Sequence, residues 1–213
     1  MRTNILAMAV VFVVVLISMI FHELAHGFMA YFLGDDTAKE EGRLTLNPLK
    51  HLDPLLSVAL PLLLFMTGGP IFGGAKPVPV NSKNLKYGVW GMAMVAVAGP
   101  LMNFVIAFVA FLVGYYTGWL EAPGLIGVIF DYLVLINLGF GVFNLIPIPP
   151  LDGSRVLYAI APDGVREAMS GMEKWGIMVV LLLVVVFPSF ISMIMGGAME
   201  GILRFFFWIV GVH

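Results

Sequence analysis

Long apolar runs separated by short polar stretches dominate this chain. Four runs, residues 4–33, 89–119, 125–146 and 175–212, are each long enough to cross a bilayer, because a hydrocarbon core of about 30 Å needs about 20 helical residues. The last run carries Pro188 and the pair Gly196-Gly197, so we expect a helical hairpin or one span plus an interfacial helix. The pattern predicts an all-α polytopic membrane protein.

The region after the first long run does not fit a simple crossing. Residues 54–66 are apolar but short, and residues 67–79 (TGGPIFGGAKPVP) are rich in glycine and proline, which excludes a regular helix. Irregular backbone is tolerated at membrane depth only where protein or water satisfies its polar groups. We therefore expect a re-entrant, irregular or β-like loop over residues 54–75. Residues 73–80 are a candidate for pairing with an extended substrate strand or for plugging a site.

The polar stretch at residues 152–174 follows the break made by Pro147, Pro149 and Pro150, and we expect it to be helical. No repeat or linker divides the chain. We therefore expect a single membrane-embedded domain over residues 1–213. Its core covers about residues 4–155, and a C-terminal helical part covers about residues 156–213.

Composition supports the membrane assignment and excludes other classes. The chain is 61% hydrophobic and 11% charged, and its mean hydropathy is +1.02, so the lipid bilayer is its main partner. A net charge of −2 provides no basic face for a nucleic acid. The absence of cysteine excludes disulfides and thiolate zinc sites. No small-residue cleavage site follows the first apolar run, so we expect it to be retained rather than removed as a signal peptide.

The distribution of Lys and Arg predicts the orientation in the cell membrane. Residues 34–53, 76–86 and 152–174 each hold three Lys or Arg, whereas residues 117–124 hold none and contain Glu121. Cytoplasmic loops carry the excess of positive charge, so the first three stretches are expected in the cytoplasm. Residues 54–75 then begin and end on the same side.

Three polar residues at the end of the first apolar run indicate a metal site. His22 and His26 are four residues apart, which puts both imidazoles on one face of a helix, where they can bind one ion. Glu23 is turned by about 100° and can act as a general base for a metal-bound water without being a ligand. Such groups are costly near a bilayer core and are rare there unless functional. The ligand types favour Zn²⁺.

A catalytic zinc site takes three protein ligands, so a third must lie elsewhere. The candidates are His51, Glu40, Glu41 and Asp152. Asp152 follows the proline break, which frees the chain to aim its carboxylate inward. Aspartate at that position is also well suited to capping the N-terminus of a helix, and the residues alone favour capping.

Two asparagines in the apolar segments need hydrogen-bond partners. Asn144 is close in sequence to Asp152, and either an interhelical bond or donation to a substrate carbonyl or oxyanion would satisfy it. For Asn103 we favour a structural role. The small residues of the segment from residue 89 serve close helix packing; they are Gly91, Ala93, Ala96, Ala98 and Gly99.

The motifs HELAHG, NPLKHLDP, GGAKPVPVN, AGPLMN and FNLIPIPPLDG occur in this order between residues 21 and 155. In combination they resemble the site-2 protease family of intramembrane zinc metalloproteases. The resemblance implies His22, His26 and Asp152 as zinc ligands and Glu23 as the catalytic base, so it replaces the capping role of Asp152.

The same resemblance implies a fold and a function. The fold is a three-helix catalytic core formed by residues 4–33, 89–119 and 125–146, completed by the re-entrant loop and C-terminal membrane helices. The function is hydrolysis of peptide bonds in or near transmembrane segments of other proteins, with the active site open to the cytoplasm. We expect a minimal member without a PDZ or nucleotide-sensing domain. Two alternatives stay open: a non-catalytic relative that binds membrane helices, and a metal transporter. The oligomeric state and the substrate cannot be read from the chain.

Overall fold

The computed structural model describes residues 2–53 and 76–212, and this part of the chain is helical. Eight α-helices and one 3₁₀ turn occur within it. They are α1 (Arg2–Phe32), α2 (Thr37–Glu40), the 3₁₀ turn Pro48–Lys50, α3 (Val89–Thr117), α4 (Leu125–Asn144), α5 (Asp152–Ile160), α6 (Asp163–Glu173), α7 (Gly176–Val186) and α8 (Pro188–Ile209). The re-entrant loop predicted over residues 54–75 lies outside the described residues.

Helix α3 is the centre of the fold, since it packs against α1, α4 and α5, while α1 also contacts α4. Its N-terminal half carries the small residues identified above, and all five of them are buried. Small side chains let neighbouring helix backbones approach closely. The helix ends at Gly118, whose φ of 72° provides the left-handed conformation that favours glycine. The expected core of three long helices is therefore present.

The described C-terminal part consists of three short helices, α5, α6 and α7, and one long helix, α8. The polar stretch predicted to be one helix forms α5 and α6, separated at Pro162. The apolar tail is divided at Pro188, the first residue of α8, whereas Gly196 and Gly197 lie inside α8. Because α7 has 11 residues, it is about 16 Å long, too short to cross a bilayer. The described tail thus contains one helix long enough to span a membrane, α8, and one shorter apolar helix, α7; the choice between a hairpin and one span plus an interfacial helix stays a prediction.

Within residues 2–53 and 76–212, four helices are each long and apolar enough to cross a membrane: residues Ile5–Phe32 of α1, together with α3, α4 and α8. Helix α6 and residues Met178–Val186 of α7 meet the same criterion only when taken together as one bent pair. Many large apolar side chains on these helices are exposed, for example Phe12 at 65% and Leu101 at 55%. Lipid is the solvent that accommodates such surfaces. The prediction of an all-α polytopic membrane protein is confirmed.

The segment at residues 76–86, hereafter called the strap, lies across the C-terminal part of α1. It begins with a hydrogen bond from Lys76 N to His51 O at 2.8 Å and ends with one from Lys86 N to Leu33 O at 2.8 Å. No helix or strand occurs in the strap as far as the structure describes it. The strap thus connects α1 to the beginning of α3 and fixes their relative position.

Candidate metal centre

Three side chains from two distant parts of the chain converge on one point. The Nε2 atoms of His22 and His26 are 3.0 Å apart. Asp152 Oδ2 lies 3.2 Å from the first and 3.4 Å from the second. Among the described residues this is the one group of three or more His, Asp or Glu side chains with metal-binding geometry.

Helix α3 orients both imidazoles of α1. The Nδ1 atom of His26 lies 2.7 Å from the carbonyl oxygen of Val95, and the Nδ1 atom of His22 lies 2.6 Å from Oδ1 of Asn103. A carbonyl oxygen can only accept a hydrogen bond, so Nδ1 of His26 carries a proton. Nε2 of the neutral ring then carries a lone pair and no proton. This arrangement, in which a second partner fixes the outer nitrogen, is typical of metal-binding histidines.

Asp152 reaches the site because α5 begins abruptly after α4. Leu151 is the N-cap residue of α5, and Asp152 is the first residue of the helix. No side chain in the described part of the chain makes a capping hydrogen bond at this end of α5. A Cβ on the next residue, Gly153, would collide with the carbonyl oxygen of Leu145, so this tight connection needs glycine. The capping role that the residues alone favoured for Asp152 is therefore wrong, and its carboxylate faces the two imidazoles.

The three converging atoms fit a zinc ion. In a tetrahedron with arms of about 2.0 Å, neighbouring ligand atoms are about 3.3 Å apart, which agrees with separations of 3.0, 3.2 and 3.4 Å. Asp152 Oδ2 is buried and accepts no hydrogen bond from the described residues. Two imidazole lone pairs and a carboxylate repel one another in a buried site unless a cation lies among them. Imidazole and carboxylate are ligands that zinc takes.

Gly99 leaves the space that the two imidazoles need. A Cβ at this position of α3 would collide with the imidazole of His26 and lie 2.7 Å from Cε1 of His22. The side of the site that faces α3 is thus open only because residue 99 has no side chain.

Glu23 lies beside the three converging residues and outside their group. Its Oε2 atom accepts a hydrogen bond of 2.8 Å from the backbone N–H of Val78 in the strap. The strap approaches α1 closely at Gly27, where a Cβ would lie 3.1 Å from Cγ1 of Val78. The carboxylate that the sequence predicts as a base is therefore held by backbone, with its second oxygen available.

Two buried charged residues hold the strap. Arg43 donates from Nη2 to the carbonyl oxygens of Lys76 at 2.8 Å and Pro77 at 3.2 Å. Asp35, which is fully buried, accepts from the N–H of Asn81 at 2.6 Å and from the side-chain amide of Asn84 at 3.1 Å.

The donors around Asp35 also determine its ionisation. Burial raises the pKa of Asp35, but the hydrogen bonds from Thr37, Asn81 and Asn84 outweigh burial and hold the pKa below its ordinary value. Asp35 is therefore a carboxylate at neutral pH and anchors the strap as an anion.

The other candidate ligands lie elsewhere. His51 is buried, and its Nε2 atom lies 2.7 Å from the carbonyl oxygen of Thr45. Glu40 and Glu41 are exposed at the end of α2. Asn144 donates from Nδ2 to the carbonyl oxygen of Phe140 in its own helix at 3.0 Å, so its expected role toward substrate stays a prediction.

Sequence reasoning missed several residues that shape the site. Asn103 makes the interhelical bond that was expected, but its partner is His22, which no local pattern reveals. Asn137 of α4, which bonds Asn103 at 2.9 Å, was not singled out, although an amide in an apolar helix is itself a signal. The contribution of Val95 comes from its backbone and leaves no trace in the sequence.

The sequence of the chain is similar to those of several known proteins. The family model described as Peptidase family M50 matches residues 122–187, which include Asp152. The chain is 40% identical over 179 residues to YwhC of Bacillus subtilis, covering 81% of this chain and 78% of that protein. It is 30% identical over 218 residues to Rip2 of Mycobacterium tuberculosis, covering 97% and 78%. It is 30% identical over 152 residues to a protein of Methanocaldococcus jannaschii, covering 71% and 34%.

All three of these relatives are named as zinc metalloproteases. The chain spans about three quarters of the length of the first two. No solved structure matches the chain significantly. Because YwhC and Rip2 are each at least 30% identical to the chain over most of their length, the chain belongs to peptidase family M50, in agreement with the resemblance to the site-2 proteases.

Proposed function

We propose that this M50 protease is a zinc endopeptidase that hydrolyses peptide bonds in or near transmembrane segments of other proteins. His22, His26 and Asp152 are the proposed ligands, and Glu23 is the proposed base. The observation that carries the proposal is the convergence of two imidazole nitrogens and one carboxylate oxygen at separations of 3.0 to 3.4 Å. The names of the relatives support the metal and the reaction class.

Each residue of the site then has a task. A zinc ion held by His22, His26 and Asp152 would supply a Lewis acid that lowers the pKa of a water to about 7 and polarises the scissile carbonyl. Glu23 would accept a proton from the attacking water as its oxygen bonds to the carbonyl carbon, and would return that proton to the amine as the C–N bond breaks. The Val78 N–H bond to Oε2 holds one oxygen of Glu23 and aims the other. The bonds from α3 keep both imidazoles in place, so the ligands need no rearrangement when the metal binds.

The setting supports a membrane-embedded substrate. The histidines lie on α1, and their partners Val95 and Asn103 lie on α3, both of which are candidate spans. The site thus lies between helices that can span the bilayer, where a transmembrane segment of another protein also lies. The proposed process is regulated intramembrane proteolysis. The Lys and Arg of residues 34–53, 76–86 and 152–174 support an active site that opens to the cytoplasm.

Asn144 has a proposed place in this reaction. It lies at the C-terminal end of α4, eight residues before Asp152. One hydrogen of its amide bonds Phe140 O, and an amide nitrogen carries a second hydrogen. We assign that second donor to the substrate carbonyl, as one source of transition-state stabilisation.

Two rival functions are weaker. A transporter needs successive metal sites along a path, but within the described residues a single group is present, and Glu23 would have no task. A non-catalytic relative that binds membrane helices has no need for a base held beside the metal centre. Cleavage of a substrate separates these rivals from the protease.

The test compares two aspartates that share one local setting. Asp152 and Asp163 are each the first residue of a helix and each precedes a glycine, but Asp163 is exposed and pairs only with Arg166 at 3.5 Å. We expect Asp152→Ala to lose bound zinc and to lower cleavage of a single-span substrate in detergent by at least about 10³-fold. Asp163→Ala keeps both. Full activity and full zinc content in Asp152→Ala would refute the proposed function.

A further inference from the structure

A chain of three buried side chains runs from α4 to the metal centre. Asn137 donates from Nδ2 to the carbonyl oxygen of Leu133 in its own helix at 2.8 Å. Its Oδ1 accepts from Nδ2 of Asn103 at 2.9 Å. Asn103 Oδ1 lies 2.6 Å from Nδ1 of His22. Both asparagines are 0% exposed, so bulk water does not compete for these bonds.

The direction of every bond in this chain follows from one carbonyl group. The Leu133 carbonyl can only accept, so Asn137 must turn its NH₂ group toward it and its oxygen toward Asn103. Asn103 must then turn its NH₂ group toward Asn137 and its oxygen toward His22. The oxygen of Asn103 accepts, so the proton of His22 lies on Nδ1. Nε2 is left bare, which is the state that a metal ligand requires.

We propose that Asn137 is a positioning residue that fixes the tautomer of His22 through Asn103. This inference rests on the proposed function, because it presumes that His22 Nε2 is a metal ligand. Asn137 touches neither the metal position nor a substrate. Its effect is exerted through the orientation of one amide group.

The geometry around Asn103 shows why Asn137 is needed. The only other partner of Asn103 Nδ2 among the described residues is the carbonyl oxygen of Ser18, at a long 3.4 Å. Without Asn137, the amide of Asn103 can turn over and donate to Nδ1 of His22. The proton of His22 then moves to Nε2, and the ring no longer offers a lone pair to the metal. A purely structural bond between α3 and α4 would have no such consequence.

The experiment measures zinc affinity of the full chain in detergent by competition with a chelator. Asn137→Leu removes the acceptor for Asn103, and we expect it to weaken zinc binding 10- to 100-fold, the usual cost of losing a second partner of a ligating histidine. Val134→Ala is the matched control, because Val134 is a buried residue of the same helix that packs only in an apolar cluster. It keeps the affinity of the original protein.

A rescue variant distinguishes tautomer control from packing. Asn103→Asp presents a carboxylate oxygen to Nδ1 of His22 whichever way it turns, so the combination of Asn137→Leu and Asn103→Asp should restore zinc affinity to within about 3-fold. If Asn137→Leu does not fold, Asn137→Ser serves instead. Its hydroxyl can reach the Leu133 carbonyl within the same helix turn but is too short to bond Asn103, so the same loss and the same rescue are expected.

The outcomes separate the two proposals. If His22→Ala binds zinc as tightly as the original protein, the ligand assignment and the proposed function fail together. If His22→Ala loses zinc but Asn137→Leu matches Val134→Ala, the role of Asn137 is refuted while the proposed function stands. Loss of affinity without rescue by Asn103→Asp also refutes tautomer control, since it assigns Asn137 to packing.

Discussion

Three side chains at the metal centre, those of His22, His26 and Glu23, each use one atom for the fold and leave another for chemistry. His26 binds the Val95 carbonyl through Nδ1, and Glu23 binds the Val78 N–H through Oε2. The other polar atom of each side chain is thereby left for the proposed chemistry. Substitutions that keep the first contact and change the second therefore separate structure from chemistry.

Glu23→Gln is such a substitution. The amide oxygen of glutamine can still accept from Val78 N–H, so the strap stays in place, but a neutral amide cannot take a proton from water. We expect zinc content to be unchanged and cleavage to fall by about 10²- to 10⁴-fold. Metal analysis and a cleavage assay on the same preparation check this. A fully active Glu23→Gln protein would remove Glu23 from the mechanism.

Gly99→Ala tests the space at the metal centre. The added methyl group would collide with His26 and press on His22, so we expect at least about a 10-fold loss of zinc affinity. Gly196→Ala is the control, because a Cβ there meets nothing within 4 Å and alanine is the better helix former. Equal zinc affinity in the two variants would contradict the role assigned to Gly99.

From the sequence, single residues could be proposed for the site where their geometry is local. The four-residue spacing of His22 and His26 follows from helix geometry alone. Asp152 could be identified only through the family resemblance, because its distance from α1 depends on how α5 is placed after the proline break. Asn137 and Val95 were not identified from the sequence, because a contact between helices across 34 or 69 residues has no signature in a local pattern.

At the scale of elements, the strap is the part of the fold that links loop structure to the proposed base. Its backbone is anchored by Arg43 on one side of Val78 and by Asp35 on the other. Pro77 and Pro79 lack an N–H, which makes Val78 the donor available between them. The position of Glu23 thus depends on residues that lie outside the membrane-spanning helices.

Replacing Asp35 should release the strap. We expect Asp35→Ala to lower the free energy of unfolding by at least about 2 kcal/mol, since several hydrogen bonds to a buried carboxylate are lost. Amide hydrogen exchange of Asn81 and the neighbouring residues should rise, while Asp36→Ala, at an exposed neighbouring position, leaves the exchange unchanged. Unaltered protection of residues 76–86 in Asp35→Ala would show that the strap is held by other contacts.

The same anchor has a defined pH dependence. The folded pKa of Asp35 is below its ordinary value of about 3.9. Its contribution is therefore fully present above pH 4 and is lost as the pH falls through the lower folded pKa. The protection factors of the strap amides, which correct exchange for its intrinsic pH dependence, should stay constant from pH 7 to about pH 4 and fall below it.

The elements themselves were predictable to within a few residues where proline or glycine marks a boundary. Gly118 ends α3, and Pro188 begins α8 as the tail composition indicated. The division of residues 152–174 at Pro162 was missed, because the polar pattern is continuous across it. Gly196 and Gly197 do not interrupt α8, since tertiary context outweighs the modest helix propensity of glycine.

At the scale of the whole molecule, the number of crossings and the orientation follow from different observations. The candidate spans follow from length and apolarity. The orientation is a proposal that rests on the charges of the loops. The assignment of the chain to one domain, with a core that ends at about residue 155, stays a prediction. Because the chain contains no cysteine, single cysteines can report the side on which each loop lies.

Cysteine labelling tests the orientation directly. Glu41→Cys and Lys83→Cys place exposed thiols in two of the positively charged stretches, and Glu121→Cys places one in the connection between α3 and α4. In intact cells we expect a membrane-impermeant maleimide to label only Glu121→Cys. In opened cells it labels all three. Labelling of Lys83→Cys in intact cells would reverse the assigned orientation.

Along α1, His26 lies six residues before the helix ends at Phe32, about 9 Å at 1.5 Å per residue. On the proposed function, every scission there turns one neutral amide into an ammonium and a carboxylate beneath the lipid headgroups. Both ions are strongly disfavoured in hydrocarbon, so each freshly made end is more stable in the water at the membrane surface. The position of the histidines along α1 therefore favours departure of the products toward water.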